Sequence, residues 1–233
     1  MTGGLGALIL ATAVFVGAHL VLSSLPVRDR LVAILRETGF RAAYSLQALA
    51  LLAWVIFAFN AAPYVEVWAP AVGLRHLSLT LMPIACVLVV AGLASRNPTA
   101  VGADTAAVAA AGPVGIFRVT RHPVMWGVAL WALAHLLANG DAAGMILFAG
   151  MGVLALGGAA QSDARRRASV GEAWAAYRAR SSFVPFVALL ARRTPWRPRE
   201  IGWARLLGGL ALYALLLLAH PWLFGVLPLP GLG

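Results

Sequence analysis

The chain alternates runs of about twenty apolar residues with short connections, and seventeen of its 18 basic residues fall in every second connection. That alternation constrains the fold more than any other feature. An apolar run of about 20 residues is long enough to cross a bilayer as a helix. Basic residues gather in connections on the cytoplasmic side. Six spans are read from the pattern, at about residues 5–25, 44–62, 74–94, 124–138, 142–160 and 201–218. The first, third and fifth connections hold the seventeen arginines; the second holds only Arg75 and the fourth none. A missed or invented span would scramble this asymmetry. It predicts a bacterial inner (plasma) membrane protein with both termini outside the cytoplasm.

Composition agrees. Hydrophobic residues make up 61% of the 233 and charged residues 11%, far from the balance of a soluble domain. All 18 basic residues are arginine. The net charge of +10 belongs to loops facing lipid headgroups, so nucleic acid is not an expected partner. A single cysteine, Cys86, excludes an internal disulfide. The first run lacks a basic n-region and reads as a retained span rather than a cleaved signal.

The fold class is therefore all-α, an integral membrane helix bundle of about six transmembrane helices. A cytoplasmic amphipathic helix is expected within residues 171–186, where Trp174, Tyr177, Phe183 and Phe186 recur among arginines. Residues 31–41 read as a short helix or a re-entrant segment. Residues 98–117 read as either an interfacial helix or a loose linker. Asn139-Gly140-Asp141 is a tight turn, making spans four and five an antiparallel hairpin.

Polar side chains at membrane depth are costly and mark function. His19 lies in span one, with Ser23 a turn away. His76 follows Arg75 at the start of span three. His122 stands in Arg121-His122-Pro123, a helix start whose proline suits the first turn and whose open N–H groups suit an anion. His135 lies in span four, with Trp131 and Asn139 on its face. His220, before Pro221-Trp222, reads as an interfacial residue. Four intramembrane or membrane-edge histidines exceed what packing requires. Neutral imidazole ligates iron, haem iron included. No zinc-type Cys/His cluster, nucleophile elbow or glycine-rich nucleotide motif is present.

The segment RHPVMWGVALWALAHLLANGD, with GAHLVLSSLPVRDRL, YSLQALALLAWVIFAF and LRHLSLTLMPIACVLVVAG, resembles the NnrU family of membrane proteins. The resemblance covers about residues 10–185, within one transmembrane domain spanning 1–233; span six, 201–218, lies beyond it. The family is linked by name to nitrite and nitric oxide reduction in denitrifiers. Its relatives include the 15-cis-zeta-carotene isomerases, membrane proteins that carry haem b. The resemblance implies haem b here, a redox or cis–trans isomerase role on a small or lipophilic substrate, and His19 and His135 as the iron ligands. Depth along the helices instead pairs His76 with His135. Both pairings stand open at this stage.

A more distant similarity links RHPVMWG and VGEAWAAYRARSSFVPF to the isoprenylcysteine carboxyl methyltransferases. It implies S-adenosylmethionine as an alternative cofactor, in a cytoplasmic-face pocket lined by Arg121, His122, Tyr177 and Arg178. Met125 stands where that motif carries tyrosine, and Asp163 is the nearest candidate for its later acidic residue. A third reading is a non-catalytic membrane assembly factor.

Overall fold

The computed structural model describes residues 4–100 and 104–229, and nearly all of its regular structure is helical. The helices are α1 (Leu5–Ser23), α2 (Leu25–Asn60), α3 (Val72–Leu93), α4 (Thr105–Ala111), α5 (Pro123–Asn139), α6 (Ala142–Val170), α7 (Glu172–Ala179), α8 (Val187–Leu190) and α9 (Trp203–Phe224). Five of them, α1, α2, α3, α6 and α9, are long and apolar enough to cross a membrane, and the shorter α5 is the sixth apolar helix. Large side chains such as Leu46, Phe57 and Leu218 are more than two-thirds exposed on these helices. Apolar surface of that extent belongs against lipid. The protein is an integral membrane helix bundle, as the sequence predicts.

The long helices stand in a row. α1 lies between α2 and α6, α5 between α6 and α3, and α3 between α5 and α9. The arginines collect at one end of the helices, called here the arginine-rich end; the hairpin turn between α5 and α6 marks the opposite end. Crossings rely on small residues that let backbones approach. A Cβ added at Gly127 of α5 would sit 2.8 Å from the Ala85 carbonyl oxygen and 2.6 Å from a Val89 methyl of α3. Gly209 of α9 meets the Val87 backbone of α3 in the same way.

The structure differs from the sequence reading at several boundaries. The expected short segment 31–41 and span two are one helix, α2, bent at Arg36, whose φ of 60° leaves the helical region. Arg28 and Arg41 both reach Glu37 just past the bend, at 2.7 and 2.8 Å. Residues 98–117 resolve into α4 and a single 3-10 turn at Gly115–Arg118, while 101–103 lie outside the described residues. α9 runs six residues past the expected end of span six, so His220 and Pro221 are inside it.

The expected surface helix in 171–186 is shorter and sits differently. It ends at Ala179, and Phe183 and Phe186 lie beyond it. Trp174 and Tyr177 are buried, stacked on each other with ring centroids 5.2 Å apart, and clustered with Ala109 of α4. Their periodicity faces protein rather than lipid, because α4 supplies an apolar surface that the sequence pattern left unassigned.

The hairpin forms as expected. Gly140 adopts the left-handed conformation (φ 70°) at the C-cap of α5. The Asp141 carboxylate then caps α6 by accepting from the Gly144 N–H at 2.8 Å. The connection between α2 and α3 lies across this turn, with the Val67 and Trp68 N–H groups donating to the Gly140 carbonyl at 2.9 and 3.0 Å.

Candidate functional site

Two groups of polar residues are built by this bundle, one at each end. At the arginine-rich end, α5 has only 17 residues. It rises about 25 Å, short of the roughly 30 Å of a bilayer core. Residues 119–122 complete the path as irregular backbone. Irregular backbone at such depth must be satisfied by protein, and here residues 182–186 do so. The Arg121 N–H donates to the Ser182 carbonyl at 3.0 Å and the Phe186 N–H to the Val119 carbonyl at 2.8 Å. The Thr120 hydroxyl donates to the Phe183 carbonyl at 2.7 Å, and the Trp126 indole N–H to the same oxygen at 2.8 Å.

Within this clasp Arg121 and His122 turn inward onto Asp163 of α6. Arg121 Nε lies 2.9 Å from each Asp163 carboxylate oxygen, its Nη2 also donates to Oδ2, and His122 Nε2 donates to Oδ1 at 2.7 Å. Phe183 packs edge-on to His122 and lies beneath the Arg121 guanidinium. Arg121, His122 and Asp163 are all buried. The anion expected at the Arg-His-Pro helix start is therefore a carboxylate of the same chain. The side chains of Arg121 and His122 are engaged by it, so they do not line an open pocket with Tyr177 and Arg178.

At the opposite end, the connection between α2 and α3, with α3, α5, α9 and the residues after α9, encloses a cavity of about 440 Å³. Its walls combine Leu79, Met82, Leu216 and Leu217 with His135, His220, Tyr213, Asn139, Arg75 and Glu66. His135 Nδ1–H donates to the Trp131 carbonyl at 2.9 Å and His220 Nδ1–H to the Val226 carbonyl at 2.8 Å. With Nδ1 so engaged, the lone pair lies on Nε2 of each ring. The two rings stand 6.4 Å apart between centroids, inclined by 24°. Phe148 of α6 packs on the far side of His135 at 4.9 Å.

The structure separates the remaining candidates from this cavity. His19 donates to the Phe15 carbonyl at 2.7 Å and packs against the Phe15 and Tyr44 rings, between α1 and α2. α1 and α6 run parallel, with Leu20 against Gly157, whereas His135 meets Phe148. Nine residues of helix place His19 about 13 Å nearer the arginine-rich end than His135. His76 is exposed and lines no part of the cavity. Asn139 shares the cavity with His135, while Tyr177 and Arg178 belong to the other end. Among the described residues no group of three or more His, Cys, Asp or Glu side chains could hold a metal ion. The donor set that fits a haem iron is a pair of imidazoles with free Nε2 atoms on one apolar-walled cavity, and His135 with His220 is such a pair.

Two of these residues have partners that the sequence does not reveal, though His220 reads there as interfacial and Asp163 as the acid of the methyltransferase-like alternative. His220 had no visible partner because Pro221 marks a helix end in sequence, yet the helix continues through it. Asp163 was a lone acid in an arginine run, and only the packing of α6 on α5 brings it to Arg121 and His122.

The family model for the NnrU protein matches residues 7–228. The chain belongs to the NnrU family. The match includes α9 and His220, beyond the segment in which the sequence resemblance was read. Two curated plant proteins are similar over part of the chain. The 15-cis-zeta-carotene isomerase of Zea mays is 38% identical over 79 residues, 34% of this chain. The Arabidopsis thaliana protein of the same name is 38% identical over 81 residues, also 34% of this chain. Both are described as chloroplastic. The matched part is 22% of the length of each relative. No solved structure matches the chain.

Proposed function

We propose that this NnrU protein is a haem-dependent membrane enzyme of isomerase-like or redox type, acting on a lipophilic substrate in the cavity of the arginine-poor end. The reading rests on one observation above the others: His135 and His220 face a single apolar-walled cavity with Nδ1 committed to backbone carbonyls and Nε2 free. A fixed Nδ1 partner orients a ligating ring and raises its basicity. The similarity to the zeta-carotene isomerases favours a conjugated chain as substrate and a double-bond isomerisation as reaction. The nitrogen-oxide role implied by the family name is the alternative chemistry for the same site.

Haem iron, when bound, supplies a redox-active centre able to interact with a π system. The chain's own residues divide the remaining work. His135 and His220 would hold the group. Leu79, Met82, Leu216 and Leu217 keep the cavity apolar and exclude water. Ser78 donates to the Ala134 carbonyl at 2.6 Å, fixing α3 against α5 one residue from His135. Tyr213, Arg75 and Asn139 are wall residues able to donate to a polar end of a substrate. The membrane setting is the bacterial inner membrane, with the arginine-rich end cytoplasmic.

Absorption spectra of detergent-purified protein supplied with haem provide the test. A Soret band is expected, lost or shifted in His135→Ala and in His220→Ala and retained in His19→Ala and His76→Ala. Absence of a band, or a band indifferent to His135→Ala and His220→Ala, overturns the assignment. Loss in His19→Ala with retention in His220→Ala would instead restore the pair that the family resemblance implies.

A further inference from the structure

A second cavity, of about 460 Å³, lies at the arginine-rich end, away from His135 and His220. It is enclosed by the C-terminal end of α3, by α4, by the 3-10 turn at Gly115–Arg118, by α7 and by the start of α9. Its walls carry two guanidinium groups, Arg96 and Arg205. A third, Arg180, stands against the Gly112 wall, with Nη1 2.9 Å from where a Cβ on Gly112 would sit. The one carboxylate in the lining, Glu200, is already engaged. Arg118 holds it at 2.7 and 3.1 Å, and the Gly115 N–H donates to it at 3.0 Å.

One further atom points to a ligand. Tyr177 lines this cavity, is 1% exposed, and its hydroxyl has no hydrogen-bond partner among the described residues. A buried hydroxyl left unpaired is costly, and a ligand oxygen would relieve it. Arg96 likewise makes no side-chain hydrogen bond among the described residues, whereas Arg205 donates to the Ala94 and Ile201 carbonyls at 3.2 and 2.9 Å. Apart from Ser95 the remaining wall is apolar, with Val108, Val114 and Phe117.

We infer that this cavity binds a phosphate group attached to an apolar moiety, with Arg96 and Arg205 neutralising its charge and the Tyr177 hydroxyl donating to one of its oxygens. Guanidinium groups suit phosphate in charge and geometry, and the apolar wall accommodates what the phosphate carries. The phosphate could be a lipid headgroup entering sideways from the bilayer or a soluble phosphomonoester entering from the aqueous side. The site is independent of the haem reading, and its test needs no haem.

Two probes separate the sources, each with detergent-solubilised full chain. Phosphatidylglycerol binding is read by native mass spectrometry, and phenyl phosphate binding by calorimetry. Binding of the lipid alone identifies a headgroup site; binding of phenyl phosphate, with or without the lipid, identifies a site open to soluble phosphomonoesters. In either case Arg96→Gln is expected to weaken binding at least tenfold and Tyr177→Phe severalfold, while Arg75→Gln at the opposite end leaves it unchanged. Among the described residues neither Arg96 nor the Tyr177 hydroxyl is bonded internally, so both variants should keep the wild-type elution profile. Failure of both probes to bind, or wild-type affinity in both variants, overturns the inference.

Discussion

Replacing Asp163 by alanine is expected to cost about 3–5 kcal/mol of stability, the range for removing one partner of a buried ion pair. The carboxylate serves two groups at once, accepting from Arg121 and from His122. Its loss leaves a guanidinium, 6% exposed, without a counter-charge. The damage should spread, since Arg121 and His122 lie in the irregular segment that residues 182–186 hold by backbone bonds. Size-exclusion profiles and thermal melts in detergent measure the effect. Asp163→Asn should be intermediate, since its amide oxygen still accepts but carries no charge. A wild-type melt for Asp163→Ala would mean that water or lipid phosphate reaches Arg121, contrary to the burial of the site.

This ion-pair triad changes what Arg-His-Pro means. As a sequence motif it invites a ligand, because cations and open N–H groups at a helix start attract anions. In the fold the attraction is used internally. The triad fastens α6 to the start of α5 and closes the arginine-rich end where α5 is too short to reach it. The cavity lined by Tyr177, Arg96 and Arg205 is a separate place on the other side of that closure.

The bundle was legible in the sequence because its signals are periodic and local. Apolar run length, the arginine alternation and the Asn139-Gly140-Asp141 turn each follow from a few consecutive residues. What was not legible depends on partners distant in sequence. His220 and His135 are brought together by α3, which packs on both α5 and α9. The burial of Trp174 and Tyr177 depends on α4, a helix of seven residues in an Ala-rich stretch with no amphipathic pattern of its own. The bend at Arg36 is equally silent, since a non-glycine residue at φ 60° carries no sequence signature. The depth of His19 could be read from rise per residue, and the structure keeps it well apart from His135.

The α3–α5 crossing should be the second point of failure. Gly127→Val is expected to destabilise the bundle by about 3 kcal/mol, at the upper end of overpacking costs, because the obstacle includes backbone. A Cβ there meets the Ala85 carbonyl oxygen at 2.8 Å and the Val89 N at 3.2 Å, neither of which can rotate away. Gly158→Ala is the matched control in α6: nothing lies within 4 Å of its added Cβ. Relief of glycine's helix penalty should leave that variant neutral or more stable by up to about 1 kcal/mol. The functional consequence follows from geometry. Gly127 lies two turns from His135 on α5, and Ser78 ties the two helices close to that histidine. Forcing the helices apart at Gly127 tilts α5 relative to α3 and moves His135 away from His220, which α9 holds against the opposite face of α3. Where the proposed haem site holds, Gly127→Val should therefore lose haem affinity even in the fraction that remains monodisperse, whereas Gly158→Ala should keep it. If the folded fraction of Gly127→Val bound haem as wild type does, the α3–α5 crossing would not set the spacing of the two histidines.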